Sequence, residues 1–320
     1  MKPTVTVIVL TLNEEANLPA CLRSLTGLDC EVFVVDSGST DQTLEIAAAN
    51  GAQVFDHPFE NYADQRNWAQ GNLPIRSDWL LHLDADERLT PDLVEEIREV
   101  LGIKREEGRA RSREQGAAGR EQRSEVGDQR SEAGDLIGID GFLLRKRTIF
   151  MGKWISHGGH YPSYHLRLFR KGKGSCEERL YDQHFIVTGK IAKLNNDYVD
   201  VLCSNIDTWI ARHTRWAELE AKQLLMSANG GSQVRPALFG NPIERRRWLR
   251  TGLYGRSPLY LRALFYWLYR YFLRLGFLDG KEGFIFHFLQ GFWFRLLVDI
   301  KLDEFKRDVQ SAKNHGTPVC

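Results

Sequence analysis

The chain predicts an α/β protein built around a mostly parallel sheet, and three observations carry that expectation. Short apolar runs alternate with helix-period segments through residues 1–100, the pattern of successive βαβ units. Three of the runs end in polar turns, TLNEE (11–15), VVDSGSTD (34–41) and LDADE (83–87), and open α/β sheets bind ligands outside the carboxyl ends of their strands. Finally, 320 residues are enough to bury a sizeable core, as one large domain or two modest ones.

Strands are expected at 5–10, 32–35, 53–55 and 79–83, with helices at 15–25, 40–50, 62–71 and 91–101. Thr90 followed by Pro91 fits an N-cap with proline at the first helical position, so a helix begins just after the acidic cluster. The run VTVIVLTL (5–12) is too short for the apolar core of an export signal and reads as a buried strand. Residues 102–135 break the pattern. They hold no aromatic residue and balance eight basic against eight acidic side chains, so a disordered insertion is expected and nucleic-acid binding is not. Order resumes with strand-like runs at 141–145, 164–174 and 186–194, then a helical pattern at 208–226. The expected divisions are 1–101 and 136–232, two halves of one catalytic domain, the insertion 102–135 between them, and a terminal region 233–320.

Net charge is +1 overall, but residues 235–301 carry 12 Lys/Arg against 4 Asp/Glu, so the chain is electrically polarised. The same region is aromatic: 17 rings lie between residues 239 and 294. Arg262, Arg270 and Arg274 interrupt the first apolar stretch (260–280), and His287, Gln290 and Arg295 the second (283–300). Both make poor spans and good interfacial helices, with rings at the acyl boundary and arginines against anionic head groups. A hydrophobic cover over the sheet is the alternative. The five cysteines have no metal-ligand spacing, which points to reduced thiols rather than structural zinc or disulfides.

The acidic cluster after the fourth strand raises the chemical question, because crowded carboxylates repel one another and resist desolvation. If the strand stays extended, Asp84 and Asp86 point to one side, and a hard cation, Mg²⁺ or Mn²⁺, could join them to phosphate oxygens of a nucleotide diphosphate. Asp36 could bind a ribose hydroxyl or a base N–H, or could simply cap the turn to Asp41. Neither GxGxxG nor GxxxxGK[ST] is present, which argues against a dinucleotide enzyme or a P-loop.

Taken in order, TLNEE, VVDSGSTD, QRNWA (65–69) and LDADE resemble glycosyltransferase family 2. RTIFMGKWISHGGHYPSYHLRLFRKGKG (147–174) is similar to its branch of lipopolysaccharide-core and envelope-polysaccharide enzymes. The resemblance implies an A-type glycosyltransferase fold, a Rossmann-like mixed and mostly parallel sheet with flanking helices, followed here by C-terminal amphipathic, membrane-associated helices. It further implies that Thr11, Asn13 and Glu14 line a nucleotide-sugar pocket, that Asp36 with Ser37 holds the uracil or ribose, that Arg66 and Asn67 lie along the donor, that Asp84 contacts the donor and that Asp86 binds the metal. A solvated helix face is the plainer alternative for Arg66.

Inverting transfer needs a base for the acceptor hydroxyl. Related lipopolysaccharide enzymes have V-H-E where this chain has Tyr181, Asp182 and Gln183. The glutamate is thus replaced by an amide, Asp182 is the nearest carboxylate, and Glu177, Glu178 and His184 are in reserve. HTRW (213–216) resembles the Q-x-x-R-W element of processive synthases with Arg212 at the glutamine position, so Arg215 could reach the diphosphate and Trp216 stack on a sugar; core packing is the favoured alternative for Trp216. His157 and His160 lie on a loop where an acceptor could pass. The expected partners are a nucleoside diphosphate sugar, a lipid-linked glycan acceptor and the cytoplasmic face of a membrane. A catalytically inactive sugar-nucleotide-binding partner and a sugar nucleotidyltransferase are the competing functions.

Overall fold

The computed structural model describes residues 4–103, 138–202, 206–227, 242–249 and 257–314, with single positions 237, 239, 252 and 254. The expected insertion lies outside the described residues apart from positions 102 and 103.

Four parallel strands open the fold: β1 (Val5–Thr11), β2 (Cys30–Asp36), β3 (Gln53–Asp56) and β4 (Trp79–Asp84). Between them run α1 (Leu18–Arg23), α2 (Thr43–Ala49) and α3 (Tyr62–Asn72). The strands are apolar throughout because both sheet faces are covered. Val7, Val9, Leu81 and Leu83 enter one core and Ile8, Phe33, Val35 and Leu80 the other, and each such side chain contributes roughly 1.5–3 kcal/mol on full burial. α3 is capped by Asn61, whose side chain accepts from the Asp64 amide at 2.9 Å.

The acidic cluster does not stay extended, which corrects the alternation expected for Asp84 and Asp86. β4 ends at Asp84, Ala85 and Asp86 turn, and Glu87 opens a short strand, β5 (Glu87–Leu89). Glu87 folds back so that Oε2 accepts from the Asp84 amide at 2.9 Å, and this local bond competes with strand extension. α4 (Pro91–Leu101) then starts at Thr90, whose Oγ1 accepts from the Leu93 amide, and stops at Gly102 with φ +68°.

The second half extends the same sheet. β6 (Ile139–Phe150), with its short partner β7 (Lys153–Trp154), β8 (Ser163–Arg170) and β11 (Lys190–Leu202) complete the order β3-β2-β1-β4-β8-β6-β11-β5, with β8 antiparallel to both β4 and β6. β9 (Gly174–Cys176) and β10 (Phe185–Val187) form a separate hairpin. Asn67 of α3 fastens it by donating to the Cys176 carbonyl at 3.0 Å and accepting from the Cys176 amide at 2.8 Å.

α5 (Ile206–Ser227) lies against the terminal helices through Trp209, Ala217, Phe286, Phe294 and Val298. α6 (Pro242–Leu249) sends Arg247 inward, and α7 (Leu261–Leu268) continues through a widened turn to Leu273. The chain from α8 (Gly280–Phe286) to α9 (Phe294–Asn314) belongs to one helical run, Gly276–Ser311, of 36 residues. By length and composition that run is long and apolar enough to cross a membrane, and 39% of its most apolar window is buried. The second stretch, expected to be a poor span, lies within that run.

The arginines expected at head groups are mostly elsewhere. Arg262 is buried on Asp299 and Arg270 is buried with its Nε donating to the Gly158 carbonyl at 2.8 Å. Arg295 meets Glu220 at 2.9 Å. Desolvated guanidinium groups need such partners, and Arg274 alone of the three in the first stretch stays exposed. Around it Phe265, Phe272, Leu273, Phe277 and Leu278 are exposed, Leu273 to 76%.

Candidate active site

The carboxyl ends of β1, β2 and β4 lie side by side and mark the crevice at which open α/β sheets bind ligands; α3 reaches it through Arg66 and α5 through the charge of Arg212. On its first wall, Thr11 Oγ1 donates to Asp36 Oδ1 at 2.7 Å, and Ser39 Oγ reaches the same oxygen at 2.6 Å. Asp36 Oδ2 accepts from the amides of Gly38 (2.9 Å) and Ser39 (2.7 Å). Asp36 is 1% exposed, and its four acceptor positions are filled by Thr11 of β1 and by its own turn. It caps the turn, and a nucleotide would meet it only by displacing one of these donors. Gly38, at φ +94°, permits the turn. Asn13 ties this wall to the next loop, since its amide donates to Ser39 Oγ and its Oδ1 accepts from the Thr40 amide, both at 2.8 Å. Ser37 Oγ accepts from Gln65 Nε2 at 2.6 Å. Glu14 is partly buried beside Asp84 and Asp41, and burial followed by those charges raises its pKa against the bond from Asn17.

The floor is the acidic turn. Asp84 accepts from Arg66 Nη2 at 3.0 and 3.3 Å and from Arg167 Nη2 at 3.1 Å. Burial alone would raise its pKa, but the two guanidinium groups hold the carboxyl well below the usual range. Arg66 is therefore buried in the crevice, with its charge against the rings of Tyr62 and Phe185, and is not part of a solvated face. Arg167 also bonds Glu87 Oε1 at 2.5 Å. Glu87 is nevertheless pushed up to about 7, by burial first and then by Asp84 and Asp200 against the pull of Arg167.

Asp86 is different. Among the described residues no hydrogen bond reaches its carboxylate, while burial, Asp200, Asp84, Glu87 and Glu14 all raise its pKa well above the usual value. An uncompensated acid among four others is a position that a cation would relieve, so the donor chemistry fits Mg²⁺ or Mn²⁺. No group of three or more His, Cys, Asp or Glu among the described residues is arranged to hold a metal ion. Part of the coordination would have to come from substrate oxygens and water.

On the acceptor side, Asp182 is half-buried on the hairpin loop, in a left-handed conformation at φ +58°, and its carbonyl lies 3.5 Å from Arg247 Nη2. Gln183 Nε2 donates to the Arg179 carbonyl at 2.6 Å. Of the reserve bases, Glu177 is wholly buried between Arg247 (2.6 Å) and His184 (3.2 Å), a structural ion cluster, while Glu178 is exposed. Asn67 is turned to the hairpin by the two bonds given above and so is committed to Cys176. His157 Nδ1 sits 2.6 Å from Asp279 Oδ1, and His160 Nε2 sits 2.8 Å from Thr148 Oγ1. Both are tied to named partners and are not freely solvated.

Trp216 packs on Tyr181 and His213, with ring centroids at 5.9 and 4.7 Å, in keeping with core packing. Arg215 is exposed, and the half-buried Arg212 is the arginine of α5 whose charge reaches Glu14 and Tyr62. The readings of the sequence missed Arg212 as a crevice residue, together with Arg167, Glu87, Asp200 and Asp279. A signal existed for Arg167: it interrupts the apolar run LRLF (166–169), all four residues of which are buried.

A mixed sheet, parallel through its first four strands, with an acidic strand end and buried arginines beside it, has the layout of an A-type glycosyltransferase. The sequence profile described as Glycosyl transferase family 2 matches residues 6–173, and the lipopolysaccharide core biosynthesis glycosyltransferase LpsC of Rhizobium meliloti strain 1021 is 35% identical over 297 residues, covering 90% of each chain. The chain belongs to glycosyltransferase family 2. An uncharacterized glycosyltransferase of Rickettsia typhi is 38% identical over 93 residues, 29% of this chain, and the match spans 31% of that relative's length. Among solved structures, glucosyl-3-phosphoglycerate synthase from Mycobacterium tuberculosis with Mn²⁺, uridine diphosphate and phosphoglyceric acid is 28% identical over 27% of this chain and 34% of its own, with a TM-score of 0.24. That overlap is too short to bear on the site.

Proposed function

We propose that the protein transfers a hexose from a nucleoside diphosphate sugar, uridine-linked, to a lipid-linked or lipopolysaccharide-type envelope glycan, with inversion at the anomeric carbon. The observation that carries the proposal is the bare, crowded carboxylate of Asp86 beside an Asp84 neutralised by Arg66 and Arg167. Thr11, Asn13, Glu14, Asp36 and Ser37 border the nucleotide, and Arg66 with Asp84 faces the donor sugar. Asp86 would hold the Mg²⁺ or Mn²⁺, which when bound neutralises charge on the diphosphate. The acceptor oxygen attacks the anomeric carbon, the bond to the diphosphate breaks with its electron pair leaving on phosphate oxygen, and Asp182 takes the hydroxyl proton. His157 and His160 border the acceptor.

The exposed apolar residues around Arg274 support docking of the terminal helices on the cytoplasmic face of a membrane, where an acceptor held by its lipid would be met. LpsC, similar over 90% of the chain, is by name a lipopolysaccharide core enzyme, which favours an envelope acceptor here. A thermal-shift screen of nucleotide sugars with Mg²⁺ and Mn²⁺ tests the donor. One uridine-linked hexose should stand out, and Asp86→Ala should abolish its metal-dependent part. Absence of any metal-dependent donor shift sinks the proposal. Gln183, where related enzymes carry glutamate, keeps open a second reading as a binding partner without turnover, and donor binding with no donor consumption, the binding unaffected by Asp182→Ala, would favour it.

A further inference from the structure

The loop 155–162 leaves the sheet beside the crevice. Ile155 donates to the Thr148 carbonyl at 3.0 Å, and Thr148 aligns with Asp200, which aligns in turn with Glu87, the neighbour of Asp86. Two strand spacings, about 10 Å, separate the loop's anchor from the acidic turn. The terminal region grips this loop at several points. Asp279 accepts from the amides of Ser156 (3.3 Å) and His157 (2.9 Å), from Ser156 Oγ (3.1 Å), and from His157 Nδ1 (2.6 Å). Arg270 Nε donates to the Gly158 carbonyl, and the Gly158 amide to the Arg274 carbonyl, each at 2.8 Å. Gly158, at φ +67°, has no room for a Cβ, which would come within 2.1 Å of His287.

Asp279 is 2% exposed and its hydrogen bonds, set against its burial, hold it below the usual carboxylate range. An ionised carboxylate only accepts, so Nδ1 of His157 carries the proton, and in the neutral imidazole that leaves the lone pair on Nε2. The imidazole is 40% exposed, and no other hydrogen bond among the described residues claims Nε2. The turn that carries Asp279 also presents Phe277 and Leu278 outward, at 44% and 53% exposure.

We propose that His157, oriented by Asp279, receives a hydroxyl of the acceptor glycan through Nε2, so that the terminal helical region completes the acceptor site as well as meeting the membrane. His157 contacts the acceptor and Asp279 is the positioning residue. The assignment rests on the transferase proposal above, and it places the acceptor's sugar at the loop while its lipid lies along Phe277 and Leu278.

The test uses the full chain. Nitrogen NMR of labelled histidines should give the Nδ1–H tautomer for His157, lost in Asp279→Asn. Transfer of label from the uridine-linked hexose selected by the thermal screen into a detergent extract of the source organism's envelope lipids should show acceptor KM raised at least tenfold in His157→Ala and Asp279→Asn. kcat and donor binding should stay within about twofold, and His157→Gln and Asp279→Glu should recover part of the loss. An Nε2–H tautomer, or an unchanged acceptor KM in His157→Ala, overturns the assignment. Absent transfer by the wild type would instead count against the transferase proposal. The dyad is then decided by titrating octyl β-glucoside: a shift at His157 Nε2 supports it, and none up to the critical micelle concentration overturns it.

Discussion

Arg167→Met removes the cation that joins the acidic turn while keeping most of the side-chain volume. The wild-type guanidinium, 7% exposed, meets Asp84 at 3.1 Å and Glu87 at 2.5 Å. Loss of one partner from a buried ion pair costs about 3–5 kcal/mol when the remaining charge is stranded. The cost here depends on pH because Glu87 titrates at about 7 in the fold, above its ordinary 4.5. The folded state therefore binds this proton more tightly than the unfolded state. Its contribution to stability is whole below about pH 4.5 and is lost as pH rises to about 7, a difference of about 3 kcal/mol. Without Arg167 the Glu87 carboxyl rises further and stays neutral at about pH 5.5, so the variant loses little more than one bond to Asp84, about 1–2 kcal/mol. At about pH 8.5 Glu87 must ionise unpaired or hold its proton against the solvent, and the full 3–5 kcal/mol is lost. Urea unfolding at the two pH values measures both losses, and adding Glu87→Gln should flatten the difference. Equal losses at both pH values, or a smaller loss at the higher one, would refute the electrostatic account of this turn.

Other expectations follow from the same geometry. Asp86→Asn should leave the unliganded fold as stable as wild type or more so, since it removes a repelled carboxylate, and should lose the Mn²⁺-dependent part of uridine diphosphate binding in calorimetry. Arg212→Ala should weaken uridine diphosphate binding by about tenfold, the scale of one charge-assisted contact, whereas Arg215→Ala should change it less than twofold. Asn67→Ala leaves both backbone groups of Cys176 without a partner and should cost about 1–3 kcal/mol in chemical unfolding. Phe272→Ser with Leu273→Ser should lower co-sedimentation with anionic vesicles at least tenfold, because each side chain carries about 1.5–3 kcal/mol of transfer free energy; unchanged sedimentation would remove those residues from the membrane-facing surface.

Local chemistry made the first hundred residues legible. β1 to β4 and α3 and α4 begin and end within a few residues of their expected bounds, because buried parallel strands are near-continuous apolar runs and because Asn61, Thr90, Pro91 and Gly102 mark helix ends. The carboxylates of Asp36, Asp84 and Asp86 were visible for a similar reason, since strand-end acids in this order are few. Their states were not visible. Asp36 is filled by Thr11 and by its own turn, Asp84 is clamped by Arg66 from α3 and Arg167 from β8, and of the three carboxylates Asp86 alone lacks a hydrogen-bond partner among the described residues.

The family, the sheet and the acidic strand end thus follow from residue types and short spacings, which act within a few neighbours along the chain. Ionisation and access follow from groups far apart in sequence: Arg167 lies 83 residues from Asp84, Asp279 lies 122 from His157, and Glu177 meets Arg247 across 70. Coulombic and desolvation energies depend on distance and burial in space. A count of charges along a chain cannot foretell which carboxylate will be neutralised, which will be left bare, or which arginines of an aromatic tail will turn inward.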